Sequence, residues 1–158
     1  MANTDISNAI DLKEFDKKFS GLKWISPNIK DPKKEIENLD NFRSLLKKDL
    51  NNELMVITEY NFFSTIMNKS FNSPSRTYDN ISYPKKNSLY FKYYKSFLIK
   101  KIKEKKIKAI YILENKKIDK KRLNNLIFNY ISESCFIKSY DEAFIVILEI
   151  KSCKELNA

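Results

Sequence analysis

Leu54-Met55-Val56-Ile57-Thr58 is an unbroken apolar run that closes on a threonine. A strand covered on both faces has this look, with no polar alternation. Ile107 to Leu113 repeats the pattern. Between and around the two runs the apolar spacing turns helical. Strands alternating with helices predict an α/β domain: three layers, with a mainly parallel sheet covered on both faces. Phe136-Ile137 and Phe144 to Ile150 close the chain as two strands joined by a tight turn at Asp141-Glu142, which predicts an antiparallel C-terminal edge hairpin.

The helices follow from the same reading. Asp5 to Ser20 carries Ile6, Ala9, Ile10, Leu12, Phe15 and Phe19 at helical spacing, with the only glycine, Gly21, as a C-cap. Leu22 to Ile25 predicts a short strand. Asp31-Pro32-Lys33-Lys34-Glu35 is a helix start, with Asp at the N-cap and Pro at the first position. Ile36, Leu39, Phe42, Leu45, Leu46 and Leu50 continue that helix. Phe62 to Asn68 predicts a short helix. Asn87 to Glu104 predicts a longer one, burying Tyr90, Phe91, Tyr94, Phe97, Leu98 and Ile102. Another begins at Asp119, with Leu123, Leu126, Ile127 and Tyr130 inward. Residues 1–158 read as one domain, an N-terminal helix over 1–20 and a core over 21–150.

Hydrophobic residues make up 42% and aromatic residues 13% of the 158, enough for a real core. No apolar run reaches the roughly 18 residues of a membrane span, and Met1 to Ile10 lacks a signal-peptide core. The chain therefore reads as soluble. The net charge of +10 is uneven: residues 85–122 hold 15 Lys/Arg against 3 acids, while residues 1–84 hold 12 against 12. Such a block either faces phosphate, anionic lipid or nucleic acid, or is a solvated surface in a chain rich in Lys, Asn, Ile, Phe and Tyr. A nucleic-acid site needs exposed aromatics among the lysines, and here the aromatics are predicted inward.

The absence of histidine excludes Ser-His-Asp and Cys-His catalysis and H-E-x-x-H zinc sites. A single glycine excludes a Walker A loop and a G-x-G-x-x-G fingerprint. No cofactor or metal is implied. The expected hairpin sets Cys135 opposite Leu148, with Cys153 about five residues beyond, at ~3.3 Å each. That is beyond disulfide reach, so both are predicted to be free thiols.

Candidate site residues gather after the first strand. Ser73-Pro74-Ser75-Arg76-Thr77-Tyr78-Asp79-Asn80-Ile81-Ser82-Tyr83-Pro84 is a proline-bounded loop, and sites in α/β folds lie beyond strand C-termini. Arg76 either binds a phosphate or carboxylate, or pairs with Asp79 and pins the loop. Tyr78 and Tyr83 either stack on a sugar or pack the loop down. Glu59 is either a general base beside the loop or a solvated strand end. Trp24 is read as core.

Three blocks taken together carry a resemblance. They are Gly21-Leu22-Lys23-Trp24-Ile25-Ser26-Pro27 leading into Asp31-Pro32-Lys33-Lys34-Glu35-Ile36, then Leu54 to Ser64, then Ser73 to Asp79 through Tyr83-Pro84 to Tyr94-Lys95-Ser96-Phe97 and Ile110-Tyr111. As a set, covering residues 10 to 150, they resemble the soluble C-terminal domain of bacterial multi-spanning membrane proteins of the GT-C, dolichyl-phosphate-mannose-type glycosyltransferase kind. In such proteins the catalytic carboxylate lies in the membrane part, so the resemblance implies no catalytic residue here. It implies a non-catalytic accessory domain, membrane-associated on the extracytoplasmic side, contacting a glycan or lipid-linked sugar. Its partners would be a membrane-embedded transferase part or an anionic membrane surface, not nucleic acid. The alternatives are a stand-alone cytoplasmic α/β ligand-binding protein or enzyme, and a basic nucleic-acid binder.

Overall fold

The computed structural model describes residues 7, 9–25, 31–49, 53–75 and 83–157. Strands β1 (Ile10–Asp11) and β2 (Lys23–Trp24) pair antiparallel as a small ribbon. Helix α1 (Pro32–Lys48) leads into strand β3 (Leu54–Thr58), then helices α2 (Phe63–Met67) and α3 (Phe91–Glu104). Strand β4 (Ala109–Leu113), helix α4 (Lys120–Leu123), strands β5 (Phe136–Asp141) and β6 (Ile145–Ile150) and helix α5 (Lys154–Asn157) follow.

The main sheet runs β3-β4-β6-β5. β3 and β4 are parallel, with Leu54 opposite Ala109 and Thr58 opposite Leu113. β6 is antiparallel to both β4 and β5. The fold is mixed α/β, as the sequence predicts, but the sheet is not mainly parallel. The reason lies in the last hairpin. Ile145 to Leu148 of β6 are all buried, whereas Ile137, Lys138 and Ser139 of β5 are exposed. The apolar strand therefore takes the interior position and the polar one the edge.

Alternation along β3 and β4 feeds two apolar clusters, one on each face of the sheet. Leu54, Val56, Tyr111 and Leu113 meet Ile36, Leu39, Phe42 and Leu46 of α1. Met55, Ile57, Ile110 and Ile112 meet Leu98 and Ile102 of α3 with Leu123, Leu126 and Ile127. Burying each such side chain contributes about 1.5–3 kcal/mol. α1 starts as its sequence requires: the Asp31 carboxylate accepts from the Lys33 and Lys34 N–H groups at 3.0 and 3.3 Å, with Pro32 first in the helix. After α4 the chain widens into a π turn over Asn124–Phe128, closed by Asn129 N–H to the Asn124 carbonyl. Leu123, Leu126, Ile127 and Tyr130 are buried as expected.

Three further expectations are corrected. The N-terminal helix is replaced, over the described residues 9–20, by β1 and two 3₁₀ turns, Leu12–Glu14 and Lys17–Phe19. Asp11 and Asp16 each accept from the N–H two residues on, at 3.0 Å, which offers the backbone a local alternative to a helix. Leu12 and Phe15 still reach the core, on the α1 side of the sheet. The second correction concerns α3, which begins at Phe91. Tyr90 and Phe97 face outward, so not all of its aromatics lie inward.

The third is the cysteine pair. Cys135 and Cys153 form a disulfide, with Cα atoms 5.3 Å apart. The hairpin register is three residues off the expected one: Phe136 faces Ile150, and Lys151 N–H bonds to the Cys135 carbonyl. The chain then turns into α5 instead of running on, which brings Cys153 back over Cys135.

Candidate functional site

The parallel pair ends in two carboxylates, Glu59 after β3 and Glu114 after β4. Glu114 is buried and receives two bonds from the Arg122 guanidinium, Nε to Oε2 at 3.0 Å and Nη2 to Oε1 at 2.8 Å. Arg122 Nη1 also donates to the Tyr83 hydroxyl, and its guanidinium lies 5.1 Å from the Tyr83 ring centroid. Tyr83 is buried, so this candidate sugar-stacking ring is a wall of the core and a partner of Arg122. Arg122 follows the Asp119 cap, whose carboxylate accepts the Arg122 N–H at 2.7 Å. The guanidinium therefore holds three elements together: the end of β4, the start of α4 and the end of the 83–84 segment.

Glu59 is exposed, on the rim of this network. Desolvation raises its carboxyl above the ordinary value, and repulsion from Glu114 and Glu35 adds to that. The Asn115 backbone N–H and Arg122 pull the other way. Burial likewise pushes the Glu114 carboxyl up, against the pull of Arg122. Glu35 is buried on α1 and accepts from Trp24 Nε1 at 2.6 Å and from the Tyr60 hydroxyl. Trp24 is half-buried and packs on that cluster through Tyr60 and Phe62. The Tyr60 phenol is pushed far up by burial and by the Glu35 carboxylate, so it stays a donor.

Arg76, Tyr78 and Asp79 lie outside the described residues. The start of their loop is described, and it covers the free edge of β3. Val56 N–H donates to the Phe71 carbonyl at 3.0 Å, Asn72 Nδ2 to the Leu54 carbonyl at 3.1 Å and Ser73 Oγ to the Val56 carbonyl at 2.6 Å. Asn68 and Asn72 make the turns that aim this segment, at φ values of +50° and +52°. Asparagine tolerates that left-handed region better than most residues.

Between this segment and the last turns of α3 lies a cleft of about 940 Å³. Ser64, Ser70, Ser73 and Ser75 supply hydroxyls to its wall, and Asn61 and Asn72 supply amides. Lys101 and Lys105 close it from α3, with Lys101 Nζ donating to the Ser73 carbonyl at 2.9 Å. No carboxylate is among the described lining residues. Burial lowers the Lys101 ammonium below its ordinary value, and the Lys105 charge lowers it further. An anion entering there relieves that repulsion.

The sequence singles out Glu59, Tyr83 and the loop from Ser73, but not Glu114, Arg122 or the two lysines. A signal existed for the first: a glutamate ends each of the two apolar strand runs. Lys101 and Lys105 carry none, because nothing local ties them to residues 61–75. Among the described residues no group of three His, Cys, Asp or Glu side chains can hold a metal ion, and no helix is long and apolar enough to cross a membrane. Comparison of the chain with family models, with curated proteins and with solved structures gives no match.

Proposed function

We propose that this chain is a non-catalytic accessory domain that holds a phosphate-bearing sugar for a membrane glycosyltransferase-like protein. The observation that carries the reading is the cleft beside β3. Hydroxyls and amides on its wall suit a polyhydroxylated ligand, with Ser73 and Asn72 already donating to β3 carbonyls, and two ammonium groups with no carboxylate among the described lining residues suit a phosphate. Lipid-linked sugars combine both features. The Cys135–Cys153 bridge supports an oxidising, extracytoplasmic setting, where disulfides persist. Glu114 and Glu35 are committed to Arg122, Trp24 and Tyr60, which argues against a carboxylate pair free for acid–base work.

Titration calorimetry with a hexose 1-phosphate, inorganic phosphate and the free hexose tests the reading. The sugar phosphate is expected to bind tightest, and the double variant Lys101→Ala/Lys105→Ala to weaken it at least tenfold. Equal binding by that variant, or no binding to the parent chain, refutes it.

The position of Glu59, directly after a parallel strand and beside the Glu114–Arg122 pair, favours a second reading, a stand-alone small α/β enzyme with Glu59 as general base; desolvation, which raises its carboxyl, is in keeping with that role. Phosphate release from the hexose 1-phosphate, lost in Glu59→Gln, would establish that reading and displace the first.

A further inference from the structure

The outer side of α3 and the turn before it carry an exposed apolar patch. Leu89 is 88% exposed, Tyr90 71%, Tyr93 77% and Phe97 45%. These are four of the seven large exposed hydrophobic side chains among the described residues, gathered within nine positions. Exposing an aliphatic and three aromatic rings together costs solubility, and patches of this kind mark contact surfaces. Two tyrosines with apolar rings and polar hydroxyls suit a boundary that is wet on one side.

The charge around the patch is of one sign. No Asp or Glu occurs from residue 80 to 103, while seven lysines do. Lys85, Lys86, Lys92 and Lys100 are exposed beside the patch. Among the described residues only one of these four has an acid within ion-pair distance: Lys100, 3.6 Å from Glu104. Lys95 reaches Glu155 at 4.0 Å. Next to the patch, a cavity of about 620 Å³ is lined by Lys85, Lys86 and Lys121 together with Asn87, Asn125 and Asn129. Three ammonium groups and three amides around one hollow match a phosphate head group. A second hollow of about 820 Å³ shares Lys86 with it and opens along Leu89 and Tyr93.

We propose that this face docks on a lipid bilayer carrying anionic head groups. Leu89, Tyr90, Tyr93 and Phe97 enter the interfacial layer, and Lys85, Lys86 and Lys121 hold phosphates at its surface. The chemistry favours a bilayer over a nucleic acid. The cations named for this face are all lysines, and Arg122, beside Lys121 of the hollow, is committed to Glu114 and Tyr83. Leu89, the most exposed of the four, has no ring to stack on a base. This surface shares no residue with the cleft beside β3, so it stands or falls separately from the sugar-phosphate reading.

Co-sedimentation of the folded chain with vesicles of phosphatidylcholine containing 30% phosphatidylglycerol tests the docking. Binding is expected to these vesicles, to fall steeply with salt, and to be weak on phosphatidylcholine alone. Each lysine near an anionic surface is worth about fivefold in partitioning, so Lys85→Gln/Lys86→Gln should reduce it by about 25-fold. Tyr90→Ser/Tyr93→Ser should also reduce it. Both pairs are exposed, so an unchanged melting temperature shows that the fold is kept, and hexose 1-phosphate binding should be unaltered. Binding that ignores lipid charge, or that either double variant leaves unchanged, overturns the proposal. So does displacement from vesicles by a short single-stranded RNA at lower concentration than the lipid.

Discussion

Reducing the Cys135–Cys153 bridge should lower stability by an amount the fold sets. The two cysteines are 18 positions apart. Opening a loop of that length restores about 3 kcal/mol of chain entropy to the unfolded state. For a domain of this size each kcal/mol moves the melting temperature by about 2–4 °C, so a drop of about 6–12 °C is expected. The assay is circular dichroism melting of protein purified without reductant, compared with the same protein in excess phosphine reductant. Cys135→Ala/Cys153→Ala should melt at or below the reduced protein, because Cys135 is buried and its truncation leaves a small void. The melts must be reversible and probe-independent for the comparison to hold. Thiol titration of the denatured, unreduced protein should find none. Two reactive thiols there, or melting temperatures agreeing within about 1 °C with and without reductant, would refute the register on which the bridge depends.

Other perturbations address the core and the carboxylate network. Phe42→Ala removes a fully buried ring that meets Phe63 and Tyr111 at centroid distances of 5.1 and 6.2 Å, and should cost about 3–5 kcal/mol in denaturant unfolding. A loss below about 1 kcal/mol would contradict the placement of α1 on the sheet. Arg122→Met strands the Glu114 carboxylate and should cost about 3 kcal/mol, and Arg122→Met/Glu114→Gln should recover most of it. Additive losses in that pair would count against the pairing. Glu59 and Glu114 have carboxyls raised above about 4.5 in the folded state, so the folded protein holds their protons longer than the unfolded chain. Their contribution favours the fold below that value and is lost as pH rises through the folded-state values. Glu59→Gln should therefore raise the melting temperature at neutral pH and flatten its decline as pH rises out of the ordinary carboxylate range; a lower neutral melting temperature would contradict the sign.

What was legible in the sequence followed from burial. Leu54 to Thr58 and Ile107 to Leu113 read as strands buried on both faces, and the Asp31-Pro32 start of α1 is written in its capping chemistry. Strand order was less visible, since the burial of runs such as Leu54 to Thr58 and Ile145 to Leu148 does not name their neighbours. The polar character of Ile137-Lys138-Ser139-Tyr140-Asp141 was the available clue that β5 is the edge. The turn lies beyond Asp141-Glu142, with Glu142 N–H donating to the Ile145 carbonyl, and that displacement moved the cysteine register; the bulge between Lys138 and Tyr140 takes back one residue of it. Helical spacing from Asp5 to Ser20 misled because Asp11 and Asp16 turn the backbone by short-range bonds that periodicity ignores. On α3 the same periodicity placed Leu98 and Ile102 correctly but took in Tyr90 and Phe97, since spacing alone does not separate a core ring from one facing outward. At the site, Glu59 was found as a polar residue ending an apolar run. The Lys101–Ser73 contact bridges 28 residues and has no local trace.

The cleft between residues 61–75 and the end of α3 is proposed to take a phosphorylated sugar. A ¹⁵N-resolved NMR titration of the chain with a hexose 1-phosphate tests it most directly. The account predicts amide shifts concentrated at Asn61, Ser64, Ser70 to Ser75, Lys101 and Lys105, saturating together and absent with the free hexose. No shifts, or shifts gathered around Glu59 and Glu114 instead, would contradict it.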